Sequence, residues 1–447
     1  MSLSQDEWKA MYAVFDPTAR VEYEDRDLFV ARPGAVADSI ADDLRLGLEK
    51  NGKWVVCGAM GSGKSSELVE LAHRLQETHA VIGLDLPQSV ARIDKIQPAE
   101  VLYLIGLAAI RAAEERWNHE VGEAAQTALH TSFRPLLGAN SLEINPREIV
   151  QGVSLLVANV ATGAPTVGGV VSGATRAFTG VLPRRLRRRT PLGGVTRNAG
   201  DGDPEINQLR LAVDAVLEDI GSVKAPVVLV DGLDKIVTSE PIRALFSDSR
   251  MLAEPRVPVI YTGPLTLMLA TEWQATAGLF RRERLTNVVL HRPERDSIKI
   301  SEERVAEGRQ TMKSVIERRL YRLRGNKTIE EVFEAPALER IIDMSGGLLR
   351  DLIHLVNRAV RSCLRQGASR ITGEIAEAAI SEMRKEYEVT LNSMRVAELV
   401  HVAATGEPSG KSEESAELLL RGYVLPYANG RVWFEPHPLL RGLRPGL

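Results

Sequence analysis

The chain has 447 residues and carries 56 Lys and Arg against 59 Asp and Glu, a net charge of −3. Hydrophobic residues make up 44% and charged residues 26%, a mix that excludes a disordered or collagen-like chain and a globally basic nucleic-acid binder. Two cysteines, Cys57 and Cys363, exclude a disulfide scaffold and a four-cysteine zinc site and fit a reducing compartment.

In chain order, Met1–Arg20 holds Asp6, Glu7 and Asp16 and no apolar core, unlike a signal peptide, so a cytoplasmic protein is expected. Five β-rich runs follow: Trp54–Gly58, Ala80–Leu86, Pro226–Asp231, Val257–Thr262 and Asn287–His291. Helical patterns separate them. After the first run, Leu68, Leu71, Ala72 and Leu75 recur at helical spacing. Helices are expected from Pro98 to about Glu120 and over about Ile206–Ile220. Apolar strands alternating with helices predict an α/β fold with a mostly parallel sheet covered on both faces.

Between the second and third runs, Phe133–Asp203 reads as an insertion. Within it, Ile149–Thr175 carries no charged residue, and Arg184-Arg185-Leu186-Arg187-Arg188-Arg189 follows. The uncharged run is longer than the roughly 20 residues that span a bilayer, but Gln151, Asn159 and Pro165 interrupt it, and membrane contact is the weaker expectation. The segment is expected to project from the core and meet a partner or a neighbouring subunit. The arginine run could touch nucleic-acid phosphates or be a solvated loop.

From Glu302 onward the pattern is helical: Glu303–Arg324, Thr328–Ile342, Leu348–Gln366 and Thr372–Leu391. Helices near Arg395–Ala404 and Glu413–Arg421 then precede two β-prone runs, Tyr423–Tyr427 and Arg431–Phe434. These flank Asn429-Gly430, a strong hairpin signal. The expected division is an N-terminal segment (1–30), a P-loop domain (31–300, with the insertion at about 133–203), a helical lid (301–391) and a winged-helix-like unit (392–447).

Gly58-Ala59-Met60-Gly61-Ser62-Gly63-Lys64-Ser65 fits the P-loop pattern without mismatch, between a strand and a helix. Backbone N–H groups of such a loop wrap phosphate, so bulky side chains are excluded. Lys64 is expected to reach the β- and γ-phosphates of a nucleotide, and Ser65 to ligate Mg²⁺. The expected contact set is Gly58, Gly61, Ser62, Gly63, Lys64, Ser65 and Ser66.

Val227-Val228-Leu229-Val230-Asp231 is a buried strand with a carboxylate at its C-terminal end, suited to holding Mg²⁺. Asp234 is a second acid within reach; a helix cap or a surface acid is its plain alternative. Gly232 stands where many P-loop ATPases carry the glutamate that orients water, so either Asp234 takes that role or hydrolysis is slow. Thr262 ends the fourth run as a polar contact for the γ-phosphate or the water. Arg350 opens a helix after Gly346-Gly347 and could swing onto the γ-phosphate; a surface ion pair is its alternative.

P-loop, apolar-Asp strand, polar fourth strand and Gly-Gly-x-x-Arg together resemble the AAA+ ATPases, above all the origin-recognition initiators and the STAND signalling ATPases. The Asp231-Gly232-Leu233-Asp234 version looks more like STAND or bacterial defence ATPases. By this resemblance, Lys64 and Ser65 are Walker A, Asp231 is Walker B, Thr262 is sensor 1 and Arg350 is sensor 2. Phe29-Val30-Ala31-Arg32-Pro33 matches the segment framing adenine, which places Arg32 at the nucleotide. Arg281, Arg282 and Arg284 are the candidates for completing a neighbouring subunit's site. The departures are Lys235, where STAND proteins carry an acid, and Gly232; both argue against fast turnover.

The resemblance implies an ATP- and Mg²⁺-binding switch, a homo-oligomer that controls a separately encoded effector in bacterial defence or signalling. The alternative it implies is a DNA-associated ATPase such as an initiator, a helicase loader or a transposition regulator. The wing carries only Arg431 beside Glu435, and Trp433 and Phe434 read as core.

Overall fold

A computed structural model of the chain describes residues 3–19, 22–138, 153–157, 190–197, 199–268, 278–292, 300–323, 325–410 and 413–441. Five parallel strands form one sheet: β1 (Lys53–Gly58), β2 (Ala80–Asp85), β3 (Pro226–Asp231), β4 (Val259–Pro264) and β5 (Arg281–Leu285), in the order β2-β3-β4-β1-β5. Side chains alternate faces along a strand, and both faces here are apolar. Val55, Ile82, Leu84, Val228 and Val230 face a core built with helices Pro98–Trp117 and Pro204–Gly221. Trp54, Val56, Val81, Val227 and Leu229 face the other core, built with helices Ala37–Arg45 and Lys64–Leu75. That two-sided burial is why β1 to β4 read as near-continuous apolar runs.

The expected fifth strand was misplaced. The strand is Arg281–Leu285, an edge strand whose outer residues are charged and of which only Leu285 is fully buried. Asn287–His291 lies beyond it. Val288, Val289 and Leu290 are buried, but they plug the gap between sheet and helical unit: the Val288 N–H donates to the Gly347 carbonyl at 3.1 Å and the Asn287 N–H to that of Pro426 at 2.9 Å. An apolar run reads alike whether it joins a sheet or fills a joint. A charged edge strand carries little apolar signal.

The insertion also departs from expectation, because its described stretches 153–157 and 190–197 are anchored in the fold. Leu155 bridges Leu84 antiparallel, the Asp85 N–H donates to the Ser154 carbonyl at 2.9 Å, and the Leu156 N–H donates to the Gly83 carbonyl at 2.8 Å. Val153 and Leu155 enter the main core, each contributing about 1.5–3 kcal/mol by burial. Farther along, the buried Glu100 carboxylate accepts the N–H groups of Gly193, Gly194 and Val195 at 3.2, 3.0 and 2.9 Å. The remainder of the uncharged run and Arg184–Arg189 lie outside the described residues.

Helices Glu302–Tyr321, Ala335–Met344, Leu349–Gln366 and Gly373–Val389 share a separate core. The N-terminal helix Gln5–Val14 belongs to it: Trp8, Met11 and Phe15 pack there, and Trp8 Nε1 donates to the Ala368 carbonyl at 3.0 Å. Residues near the start of the chain thus complete a unit nearly 300 residues later, and no local pattern announces that pairing. Helices Ser393–Thr405 and Glu413–Leu420 then precede the hairpin β6 (Val424–Asn429) and β7 (Arg431–Pro436), whose tip Gly430 has φ +75°. Among the described residues no helix is long and apolar enough to cross a membrane.

Candidate phosphate-binding site

Parallel pairing brings the C-terminal ends of β1, β3 and β4 to one edge of the sheet, where open α/β sheets bind ligands. Gly58 ends β1 and Lys64 opens the helix Lys64–Leu75. Between them Gly61 has φ +89° and Gly63 +95°, conformations that side-chain-bearing residues rarely adopt. A Cβ on Gly61 would lie 2.7 Å from Arg350 Cβ, so the loop needs glycine there for space as well.

The Lys64 ammonium is buried and its three donors are spent. It bonds the carbonyls of Gly58 and Ala59 at 2.8 Å each and pairs with Asp234 Oδ2 at 2.9 Å. Ser65 Oγ donates to Asp231 Oδ2 at 2.8 Å. Thr262 Oγ1 accepts the Gly232 N–H at 2.8 Å and stands 3.3 Å from Asp231 Oδ1 and 3.2 Å from Asp234 Oδ1. A hydroxyl has one proton, so Thr262 serves one acid at a time. Burial works to raise the Asp234 carboxyl, but the charge and hydrogen bond of Lys64, aided by Lys235 and Thr262, outweigh it and hold the pKa below the ordinary value. Asp234 is therefore an ionised partner of Lys64, neither a surface acid nor a helix cap.

Gly232 has φ +108°, and a Cβ there would lie 2.1 Å from Pro87 Cδ. Pro87 begins the turn after β2, directly beside β3. A water-orienting glutamate has no room at this position.

A cavity of about 470 Å³ opens over the loop, with Gly61, Lys64, Ser65, Ser66 and Asp234 on its sheet side. Asp231 and Thr262 are fully buried and lie beneath it. Gly58 is the strand end that takes the Lys64 bond, and Ser62 Oγ is buried without a hydrogen-bond partner among the described residues. Arg32 does face the cavity, but its guanidinium is buried against the phosphate loop: Nε is 3.6 Å from Glu67 Oε1, and one terminal nitrogen lies 3.7 Å from the Cβ position of Gly63. Burial lowers its pKa, and Glu67 pulls it back. Phe29 and Val30 line the same cavity.

The helical unit closes the other side. The Arg350 N–H donates to the Gly61 carbonyl at 3.3 Å, and its side chain lines the cavity with no hydrogen bond or ion pair among the described residues. The surface ion pair weighed from sequence is not formed among the described residues. Two groups here escaped sequence reading. Arg319 is 8% exposed, lines the cavity, and among the described residues bonds only the Val315 carbonyl of its own helix, at 3.1 Å. Burial, then the nearby Arg322 charge, lower its pKa to about 10. His354 stands beside them, its pKa lowered by burial. A helical Arg in a charged stretch reads as surface, and only the packing of Glu302–Tyr321 over the loop reveals it.

Of the three arginines considered for a neighbouring site, Arg281 pairs within the chain with Asp43 at 3.2 Å and with Glu49, and lies over the Trp54 ring. Arg282 is exposed and Arg284 half-buried on the same edge strand, where burial lowers the Arg284 pKa.

The residues present fit a triphosphate with a divalent cation. Glycines leave the loop open to close approach, a lysine sits at the helix start, and a serine–aspartate pair lies at hydrogen-bond distance.

No protein-family model matches the chain, and no curated protein matches it. Among solved structures it is similar to the Aeropyrum pernix ORC2 protein in its ADPNP–ADP complexes (14% identity, 96% of this chain and 93% of that chain, TM-score 0.42). It is also similar to the ORC1 protein of that organism in complex with DNA (12%, 95% and 93%, 0.40). The Thermotoga maritima RuvB Holliday junction branch migration motor aligns over 52% of this chain and 82% of that chain, at 15% identity and TM-score 0.25. Superpositions this loose transfer no activity, ligand or partner. On its own strand order and loop placement, the chain has an α/β P-loop fold of the AAA+ kind, followed by a helical unit.

Proposed function

We propose that this chain is an ATP-binding, slowly hydrolysing molecular switch. The observation that carries the reading is the P-loop with its Lys64–Asp234 and Ser65–Asp231 pairs beneath a cavity roofed by Arg350 and Arg319. A bound Mg²⁺ would neutralise phosphate charge there, held by Ser65 and Asp231. Lys64 would hold the β- and γ-phosphates by exchanging its Asp234 contact for phosphate oxygen. Asp234, released from Lys64, is then the acid nearest the loop that can orient water. Gly232 supplies none, which supports slow turnover. Arg319 offers donors only, and so would bind acceptor atoms of the nucleotide from the helical wall.

Because the cavity lies between sheet and helical unit, nucleotide state would set how tightly the two close. The output we favour is a separate effector, controlled by an oligomer of this chain in a defence or signalling system. In the C-terminal unit Arg421 pairs with Glu417 and Arg441 with Glu435, while Val389 and Met394 are exposed nearby. Paired arginines and exposed apolar side chains suit a protein contact. Trp433 and Phe434 are buried and so cannot stack on bases.

The second reading is a DNA-associated ATPase. One preparation separates the two. Binding of duplex DNA that weakens steeply with salt supports the DNA reading. Absence of DNA binding, with ATP-dependent retention of a defined partner chain, supports the effector. Failure to bind nucleotide at all defeats both.

A further inference from the structure

The turn that delivers Arg350 is held from behind by the C-terminal unit. The Tyr427 hydroxyl, on β6, donates to the Gly346 carbonyl at 2.7 Å. Gly346 has φ +58°, and a Cβ there would meet Leu425 Cδ1 at 2.4 Å and Pro438 Cδ at 2.8 Å. Four residues on, Arg350 faces the phosphate loop, and Asp351 faces the opposite way. Asp351 Oδ2 accepts from the Tyr387 hydroxyl at 2.5 Å and lies 3.1 Å from His437 Nε2. His437 is fully buried, and its Nδ1 accepts the Leu439 N–H at 3.2 Å. That bond leaves the imidazole proton on Nε2, which approaches Asp351 closely without hydrogen-bond geometry and has no hydrogen-bond partner among the described residues.

The same hairpin also backs the loop itself. Leu425, Tyr427 and Trp433 form one apolar cluster with Ala59 of the P-loop and Leu348 of the Arg350 turn. Leu265, just past β4, packs into the core of the C-terminal helices with Leu399 and Val402. One unit therefore touches the loop, the strand carrying Thr262 and the helix carrying Arg350.

We infer that Tyr427 and His437 are positioning residues: by gripping Gly346 and Asp351 they aim Arg350 at a nucleotide's terminal phosphate. The inference rests on the nucleotide-binding reading above. It makes the C-terminal unit part of the phosphate sensor, so that a partner pulling on that unit would alter which nucleotide the chain prefers. Linkage makes this reciprocal.

The test is a double-mutant cycle on the full chain. Fluorescent ATP and ADP are titrated with Mg²⁺, and the ratio of their affinities is the readout. Y427F removes one hydroxyl and keeps the ring; H437L removes the imidazole, and H437Q keeps a donor toward Asp351. We expect Y427F and H437L to lower the ATP-to-ADP ratio by about tenfold, comparable to loss of one charge-assisted hydrogen bond, with ADP affinity held within about threefold. R350A should lower the ratio by a similar factor, and R350A combined with Y427F should lower it no further. H437Q should restore most of the ratio. An unchanged ratio in Y427F, or effects that multiply with R350A, overturns the inference while leaving nucleotide binding intact. Should H437L fail to fold, Y427F alone decides. A parent chain that binds neither nucleotide overturns the functional reading, and this inference with it.

Discussion

The two walls of the cavity are built on different principles. On the sheet wall every charged group has a partner: Lys64 holds Asp234 and two carbonyls, Ser65 holds Asp231, and Thr262 lies between both acids. On the helical wall neither Arg319 nor Arg350 makes a close ion pair among the described residues, although Arg319 is almost fully buried and feels the charge of Asp25 from farther off. A desolvated cation without a close ion pair costs free energy in the empty protein. The difference shows that the charges of the sheet wall are paired before ligand arrives, and those of the helical wall gain a close partner only with an anion or an acceptor in place. A switch needs that asymmetry, since the wall left unsatisfied is the one ligand can pull.

The largest expected effect strikes the complete wall. Lys64→Ala leaves the Asp234 carboxylate buried and unpaired, and stability should fall by about 3–5 kcal/mol in urea unfolding. Adding Asp234→Asn should recover much of that loss. A Lys64→Ala chain as stable as its parent would mean the pair is not formed in solution. Glycine 232 offers a sharper probe of the same wall. Gly232→Glu should lower the melting temperature and leave hydrolysis no faster, because φ +108° and Pro87 exclude the side chain. Faster phosphate release by that variant would show that the position does accept a catalytic acid.

Asp234→Asn should slow hydrolysis about tenfold while ATP affinity stays within a few-fold, if Asp234 orients water. Equal turnover would leave it only a partner of Lys64. The helical wall should respond oppositely to truncation. Arg319→Met removes a buried charge that makes no close ion pair among the described residues, so the nucleotide-free chain should melt no lower than its parent. ATP affinity should nevertheless fall about tenfold, and inorganic tripolyphosphate, probing the phosphate end alone, should bind as before. Loss of stability with unchanged ATP affinity would move Arg319 to a structural role.

The smallest effect is with pH. Burial lowers the pKa values of His73, His79, His130 and His354 from 6.5. Unfolded chains take up protons below pH 6.5 that these folded sites resist, so stability present above 6.5 should be lost as pH falls through that region. His130→Asn, losing the residue whose Nδ1 meets the Tyr103 hydroxyl at 2.7 Å, should flatten that slope in unfolding titrations from pH 7.5 to 5.5. An unchanged slope would assign the acid response to other groups.

The contrast also explains what could be read from the chain before its structure. The sheet wall is local: a loop between a strand and a helix, and an acid ending an apolar run, are contiguous patterns, and Pro226–Asp231 lies where its sequence places the strand. The hairpin around Gly430 was legible because a tight turn demands positive φ. The helical wall depends on distance in sequence. Nothing near Arg319 says that its helix will lie over Lys64, and nothing in Gln5–Val14 says that Trp8 will share a core with Leu355. Val153–Val157 misled because pairing with β2 needs only the right neighbours, and its flanks carry no strand signal. Arg281 misled because its acids, Asp43 and Glu49, lie more than 200 residues earlier.

The central claim is that the complete sheet wall is a nucleotide triphosphate site, and calorimetric titration with ATP and Mg²⁺ tests it most directly. The parent chain should bind one ATP with an affinity that drops when Mg²⁺ is withheld, and Lys64→Ala, assayed at a temperature where it remains folded, should bind more than tenfold more weakly. Equal binding by the two chains, or no heat of binding from a folded parent, would contradict the account.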